Sequence, residues 1–252
     1  VISAEPIARD HAIVLRWYPV TDTSRVVVWF TRHHGRLSTL IKGALRPKSF
    51  VLGQYDLFHT CELLFYTRSS DDLHIFRECS PLRRRSPLRH DWRACAAASF
   101  VADLLHRASP PLAAAEALFD LASLCLDQLA SGHASPALLF WYELRLLHEL
   151  GLAPDLGDSP LANAIFDHRD GRIIPPGTPP SAHASPISGG ALAILRHLVD
   201  TSAPADLRRL RLSPGQIREI AGHLDLFATW HLDLRLPSRA LALDLLTRPA
   251  AA

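Results

Sequence analysis

The chain has four cysteines in 252 residues and no CxxC pair among them. Cys61, Cys79, Cys95 and Cys125 each lie in an apolar run, where a free thiol behaves as a small hydrophobe. That spacing argues against a paired redox or zinc-ribbon motif, and all four are expected as reduced core residues. Long apolar runs are missing too. No segment approaches the roughly 18 apolar residues that a membrane-spanning helix needs. The stretch VISAEPIARDH lacks the basic-then-apolar order of a signal peptide. A cytoplasmic protein without membrane association is the expectation.

Catalytic signatures are equally scarce. There is no G-x-S-x-G elbow, no Walker motif and no HExxH. His168-Arg169-Asp170 matches the HRD of a kinase catalytic loop, but the required Asn position is Pro175 and no glycine-rich phosphate loop precedes it. DHRDGRI reads better as a hairpin with an Asp-Gly turn. His33 and His34 are adjacent, so on a strand their rings point to opposite faces and do not chelate together. Asp71-Asp72 reads as a turn between strands. The fourteen histidines are scattered. No catalytic residue, metal site or cofactor is expected.

What the chain does have is a local excess of positive charge. The totals nearly cancel, at 27 basic against 25 acidic residues. Yet TRHHGRLSTLIKGALRPKSF, residues 31–50, holds Arg32, Arg36, Lys42, Arg46 and Lys48 and no Asp or Glu. Lys42 and Lys48 are the only lysines, so the remaining cations are Arg, which suits planar phosphate contacts. A second cluster comprises Arg83, Arg84, Arg85, Arg89 and Arg93.

The hydrophobic period divides the chain in two. From Ala12 to about Cys79 it reads as strands: AIVLRWYPV, SRVVVWFT, GRLSTLIKG, GQYDLFHTCELLFYTR (long enough to bend) and DLHIFRECS. Turn formers separate them, among them Thr21, Asp22, Ser24, Gly35, Gly43, Pro47, Gly53, Ser69 and Ser70. Short strands joined by short turns suggest a small closed barrel, which leaves no sheet edge exposed. Trp17, Tyr18 and Trp29 are expected in its core. At SPLRRRSPLRHDW, Pro81 and Pro87 argue for a linker. Beyond it the period shifts towards 3.6. PALLFWYELRLLHEL has Pro136 near its start and Gly151 just past its end, and Ser213 and Gln216 form a capping-box pattern. Residues 153–188 are rich in Pro, Gly and Asp and hold no long helix. The expected architecture is α+β and multidomain: a barrel over 1–80, then a helical domain over 81–252 with an irregular insertion about 153–188.

The barrel region resembles the first domain of the RecO family of bacterial recombination-mediator proteins. The resemblance rests on Val14-Leu15, Thr31 to Gly35, the basic loop Lys42-Gly43-Ala44-Leu45-Arg46-Pro47-Lys48-Ser49, and Gly53-Gln54-Tyr55-Asp56-Leu57-Phe58. Leu45 stands where the family often has a basic residue, and the proline expected near Phe58 is absent. WHLDLRLPSRALALDLL resembles the family's closing segment, with Ser238-Arg239 as its Ser-Arg pair. Many members carry a four-cysteine zinc module after a G..P.L..C..C run. Here that run is GLAPDLGDSPLA, with Ser159 and Ala162 in the cysteine positions, so the insertion is expected to be zinc-less. Pro154, Leu156, Leu161, Ile165, Phe166, Ile173 and Ile174 offer an apolar seam in its place.

The resemblance implies an OB-fold that binds single- and double-stranded DNA through Arg25, Arg32, Arg36, Lys42, Arg46 and Lys48, extended by Arg83, Arg84 and Arg85. It implies strand annealing and help in loading RecA onto DNA coated by single-strand binding protein, together with RecR, in repair by the RecF-type pathway at the nucleoid. The acidic, apolar tail of single-strand binding protein would seek an apolar groove with arginines, and Arg107, Arg145 and Arg196 interrupt apolar runs of the helical region. The bland alternatives are a solvated basic loop, and arginines paired with nearby acids, such as Glu143 or Glu149 for Arg145. Two other function classes fit the residues: an RNA-binding OB module with a helical adaptor, and a nucleic-acid hydrolase built around Asp167, His168 and Asp170.

Overall fold

The computed structural model describes residues 7–68, 73–158, 162 and 164–248. Residues 1–6 of the stretch weighed against a signal peptide, and Ser69, Ser70, Asp71, Asp72, Ser159 and Leu161, lie outside the described residues. The chain forms two compact units, one of residues 1–90 with 102–130 and one of 91–101 with 131–252.

The first unit is built on five strands, β1 (Ile7–Pro19), β2 (Arg25–Thr31), β3 (Gly35–Ile41), β4 (Thr60–Tyr66) and β5 (Leu73–Arg83). They close in the order β1-β2-β3-β5-β4, with β3 and β5 parallel and the other pairs antiparallel. This is the OB-type barrel. Alternation places Val27, Trp29, Leu37, Ile41, Leu63 and Phe65 inside. β1 keeps both Val14 and Trp17 against the same core because its register shifts between Val14 and Arg16; the extra residue resets the alternation. Cys61 and Cys79 lie in this core, and Cys125 is also buried.

Three sequence expectations change here. Tyr18 is exposed on the barrel wall, while Trp29 is fully buried and Trp17 partly so. The long fourth run is a strand only over Thr60–Tyr66; the residues before it turn, and Phe58 takes a left-handed φ of 66°. Nor are residues 81–93 a simple linker. Pro81 lies within β5 beside a register irregularity, where a missing N–H is tolerated, and Ser86–Arg89 form a 3-10 turn.

The β2–β3 turn also departs from expectation. His33 and His34 lie in a turn, not on a strand, and both face the buried Asp10 of β1. The carboxylate accepts from the backbone N–H of His33 (2.9 Å) and His34 (3.1 Å), and both Nδ1 atoms contact it, at 2.9 and 2.6 Å. These bonds hold Asp10 below its ordinary value against a burial that alone would raise it. Gly35 ends the turn at φ 66°, and a Cβ there would sit 2.1 Å from the Ala113 carbonyl oxygen. No other residue type fits.

Helix α1 (Trp92–Ala108) gives its residues from Ala102 onward to the first unit, which also holds α2 (Glu116–Ala130). The second unit contains α3 (Pro136–Glu149), a sheet of β6 (Ala164–Asp167), β7 (Arg172–Ile173) and β8 (Ala184–Ile187), then α4 (Gly189–Asp200), α5 (Pro214–Leu232) and α6 (Pro237–Thr247). α3 is apolar on all sides and buried from Ala137 to Leu144, packed by α4, α6 and the 3-10 turn Pro204–Arg209. Ser135 caps its start, and the Ser213–Gln216 capping box forms at the start of α5. The insertion is more ordered than its composition suggests. Its antiparallel sheet, in the order β7-β6-β8, contains the Asp-Gly hairpin read from DHRDGRI.

Within the seam, Leu156, Phe166 and Ile173 are buried, and Ile165, Ile174 and Pro154 are half-buried. Among the described residues, no three His, Cys, Asp or Glu side chains converge to hold a metal ion. Purified protein should therefore contain no stoichiometric zinc, and a chelator should leave the thermal midpoint unchanged; zinc whose removal unfolds the protein would contradict this.

Arg239 of the Ser-Arg pair is an interior ion-pair partner. Its guanidinium, 1% exposed, bonds Glu143 of α3 and Asp225 of α5. Arg239→Ala strands the equally buried Glu143 and should cost about 3 kcal/mol or more in denaturant melts. The double variant R239M/E143L should recover much of that loss, because no buried charge is then left unpaired; Asp225, more than half exposed, is solvated instead.

Candidate nucleic-acid interface

The basic loop leaves β3 at Lys42 and reaches Val51 without regular structure. It is nonetheless fixed. Gly43 takes φ 70°, Leu45 N–H donates to the Thr23 carbonyl at 3.0 Å, and Ser49 N–H donates to the Arg46 carbonyl at 2.9 Å. Ala44 and Val51 are buried in the barrel core at either end. Lys42, just before the first anchor, and Arg46 and Lys48, between the two, are exposed, and none forms an ion pair among the described residues. Charge without local partners on a positioned loop is what a phosphate backbone can neutralise.

The other sequence candidates divide by their surroundings. Arg25 lies at the same end of the barrel, half-buried, with its guanidinium carbon 3.8 Å from the centre of a Trp17 ring. Burial raises the Tyr55 hydroxyl above its ordinary value, and the nearby Arg25 charge opposes that shift. Arg25 is thus held in place at the loop's base.

Arg32 sits at the opposite end of β3. Its Nε meets Glu116 at 3.1 Å, and its two terminal nitrogens grip Asp120 at 2.8 and 2.9 Å. The whole fork is engaged by α2. Arg36 is half-buried, with Nη1 3.4 Å from the His106 ring nitrogens. Burial, with the Arg16 and Arg36 charges beside it, pushes His106 down to about 4, so its ring is a neutral acceptor near pH 7.

The second cluster splits as well. Arg83 is exposed and pairs with Asp127; Arg84 is exposed with no ion pair among the described residues. Arg85 must be withdrawn as a DNA contact. It is 2% exposed, and its guanidinium donates to the Phe58 carbonyl, to Thr60 Oγ1 at 3.0 Å, to Asp127 at 2.8 Å and to Ser123 Oγ at 2.9 Å. No donor is left for a phosphate. Arg89 pairs with Asp56, and Arg93 lies over the Trp92 ring.

In the second unit, Arg196 donates to the Leu156 carbonyl, which ties down the insertion. Arg145 lacks the Glu143 partner weighed for it, because Arg239 holds that carboxylate. Arg107, in the first unit, lies 3.9 Å from Asp103. The residues of the hydrolase alternative are spent on structure. Asp167 accepts from Ser181 Oγ and from the N–H groups of Asp170 and Arg169, which hold it below its ordinary value. A general acid at neutral pH needs the opposite shift. His168 is buried with Nε2 3.0 Å from His223 Nδ1, and Asp170 pairs with Arg172.

Two matches with known proteins span nearly this whole arrangement. Residues 6–85 match the family described as Recombination protein O N terminal, and residues 89–240 match Recombination protein O C terminal. The chain belongs to the RecO family. A DNA repair protein RecO from Roseiflexus sp. (strain RS-1) is 30% identical over 223 residues, covering 86% of this chain and 74% of that protein. The namesake from Anaeromyxobacter dehalogenans is 29% identical over 243 residues, covering 92% and 94%. That from Cutibacterium acnes is 29% identical over 255 residues, covering 94% and 98%. In this RecO-family chain no helix among the described residues is long and apolar enough to cross a membrane.

One surface residue escaped the sequence reading. Phe50 closes the basic stretch and is 69% exposed, the most of any large hydrophobic side chain described. An aromatic two residues after Lys48 was the available signal; its exposure depends on the path of the loop.

The His106 environment sets a pH test. Its folded value lies below the roughly 6.5 of a free imidazole, so the unfolded chain takes up the proton first. The stabilising contribution is complete above about pH 6.5 and is lost as pH falls towards 4. Asp103 opposes this shift, whereas Arg16, Arg36 and Arg107 reinforce it. His106→Gln should flatten the fall of stability over that interval, measured by chemical denaturation at stepped pH. An unchanged slope would show that His106 is not the titrating group.

Proposed function

We propose that this chain is a DNA-binding repair protein whose barrel loop, Lys42 to Lys48, holds the phosphate backbone of single- and double-stranded DNA. The observation that carries this reading is the set of three exposed cations without ion pairs on a loop pinned by Ala44 and Val51. Arg25 extends the track at the loop's base and Arg84 is a second contact. Arg32, Arg36 and Arg83 have protein partners and contribute less. Binding by charge alone does not discriminate sequence. That suits a mediator that must handle any broken strand. It aligns and anneals complementary strands and, with RecR, assists RecA loading on strands coated by single-strand binding protein. The acidic tail of that protein docks on the helical region. No bond is made or broken by the chain itself.

The test is binding and annealing with the full-length chain. K42Q/R46Q/K48Q should weaken binding to every DNA sequence and reduce the slope of log affinity against log salt by about 2 to 3, at about 0.7 to 0.9 per lost phosphate contact. Its thermal midpoint should not move, since all three side chains are solvent-facing. Wild type should accelerate annealing of complementary strands both bare and coated with single-strand binding protein. Wild-type affinity and slope in the triple variant would remove the loop from the interface, and no annealing by wild type would remove the mediator reading. Tighter binding to RNA than to DNA of the same sequence would favour an RNA module instead.

A further inference from the structure

Phe50 is the feature of the first unit that phosphate binding does not use. Its exposure is not a sign of loose chain. Val51, the next residue, is buried in the barrel core, and Leu52 N–H donates to the Ser49 carbonyl at 3.2 Å. The ring leans on Phe76 of β5, with centroids 6.4 Å apart and planes 34° from parallel. Phe76 itself is 9% exposed and belongs to the core cluster. An aromatic ring is therefore supported from beneath by the barrel and open above. Lys48 precedes it by two residues, and Leu52, also exposed, follows by two.

We propose that Phe50 is a stacking platform for an unpaired base, and that it gives the loop a preference for single strands over duplex. This rests on the DNA-binding reading above and adds a base contact to it. The physical separation is simple. Duplex and single strand both present phosphates, so the three cations serve both. Only an unpaired base presents a free face to a ring, because in duplex those faces are already stacked on one another. Every base has such a face, so the contact adds affinity without reading sequence. A preset ring also loses little conformational freedom on binding. An apolar protein partner would fit Phe50 and Leu52 but would leave Lys42, Arg46 and Lys48 unneutralised, with no acid anywhere in residues 31–50 to answer them. A single strand answers both the ring and the charges.

The experiment uses the full chain and compares a homopolymeric thymidine oligonucleotide with a duplex of equal length at fixed salt. F50A should lose roughly 5- to 150-fold in affinity for the single strand, the range of one base stack. Its duplex affinity, salt slope and thermal midpoint should stay at wild-type values. F50L keeps the apolar bulk without the ring and should behave as F50A. F50W should keep single-strand affinity and gain an emission signal that the single strand quenches and the duplex does not. Wild-type single-strand affinity in F50A overturns the proposal. So does an equal loss on both DNAs, or wild-type affinity in F50L, which would mean apolar docking rather than stacking. The loss of binding in K42Q/R46Q/K48Q is a separate arm. If that variant fails to bind while F50A binds normally, the loop reading stands and the stacking falls. If wild type binds neither DNA, both fall.

Discussion

The first unit depends on one buried guanidinium. Arg85 follows the end of β5 and donates to two acceptors of the barrel: the carbonyl of Phe58, a residue with left-handed φ, and Thr60 Oγ1 at the start of β4. The same fork reaches Ser123 and Asp127 of α2. Barrel and helix are thus joined through a group that cannot be left unpaired when buried. Once α2 is fixed there, its earlier turns are fixed too, and Glu116 and Asp120 fall beside Arg32.

This sorts the charge of the barrel. β3 begins beside the turn that carries Arg32 and ends at Ile41, just before Lys42, about 20 Å away for a strand of its length. At the first end, α2 supplies carboxylates to Arg32, Arg83 and Arg85, and α1 supplies Asp103 to Arg16 and the neutral His106 to Arg36. No helix supplies acids to the other end among the described residues, and the loop cations stay without ion pairs. A chain with a formal net charge of only +2 therefore presents a strongly basic surface at one place. Distribution rather than total is what a polyanion meets.

That sorting marks where sequence reading succeeds and where it stops. The strands, the basic loop and the caps of α3 and α5 were legible because each signal is local: alternation, a Gly-Pro-shaped turn, Ser followed three residues later by Gln. The division of the arginines was not. Arg32 meets acids 84 and 88 residues away, and Arg85 meets one 42 residues away, so no window of sequence contains both partners. Adjacent His33 and His34 looked divergent on the assumption of a strand; a turn brings both to Asp10, more than twenty residues earlier. Phe50 was quoted within the basic stretch, yet only the burial of Val51 beside it and the support of Phe76 beneath it separate a displayed ring from a core one.

The second unit shows the same logic with polar groups in place of a metal. A segment rich in Pro and Gly cannot rest on helical or strand propensity alone, and the described residues offer no ligand set to cross-link it. Short-range bonds close its turn, with Asp167 accepting from two backbone N–H groups and from Ser181. Longer bonds tie it down: Arg196 of α4 to the Leu156 carbonyl, and Glu219 of α5 to the backbone and hydroxyl of Ser188, at 2.6 and 2.7 Å. Ser188 also caps α4, so one carboxylate fixes the exit of β8 and the start of the next helix together. Phe166 then packs against Phe227 with His168 and His223 around it, which buries the sheet's inner face on α5. Each tie spans a different pair of elements, and losing one leaves the others in place. A single metal centre concentrates the same task at one point, where losing a ligand loosens every segment it joins.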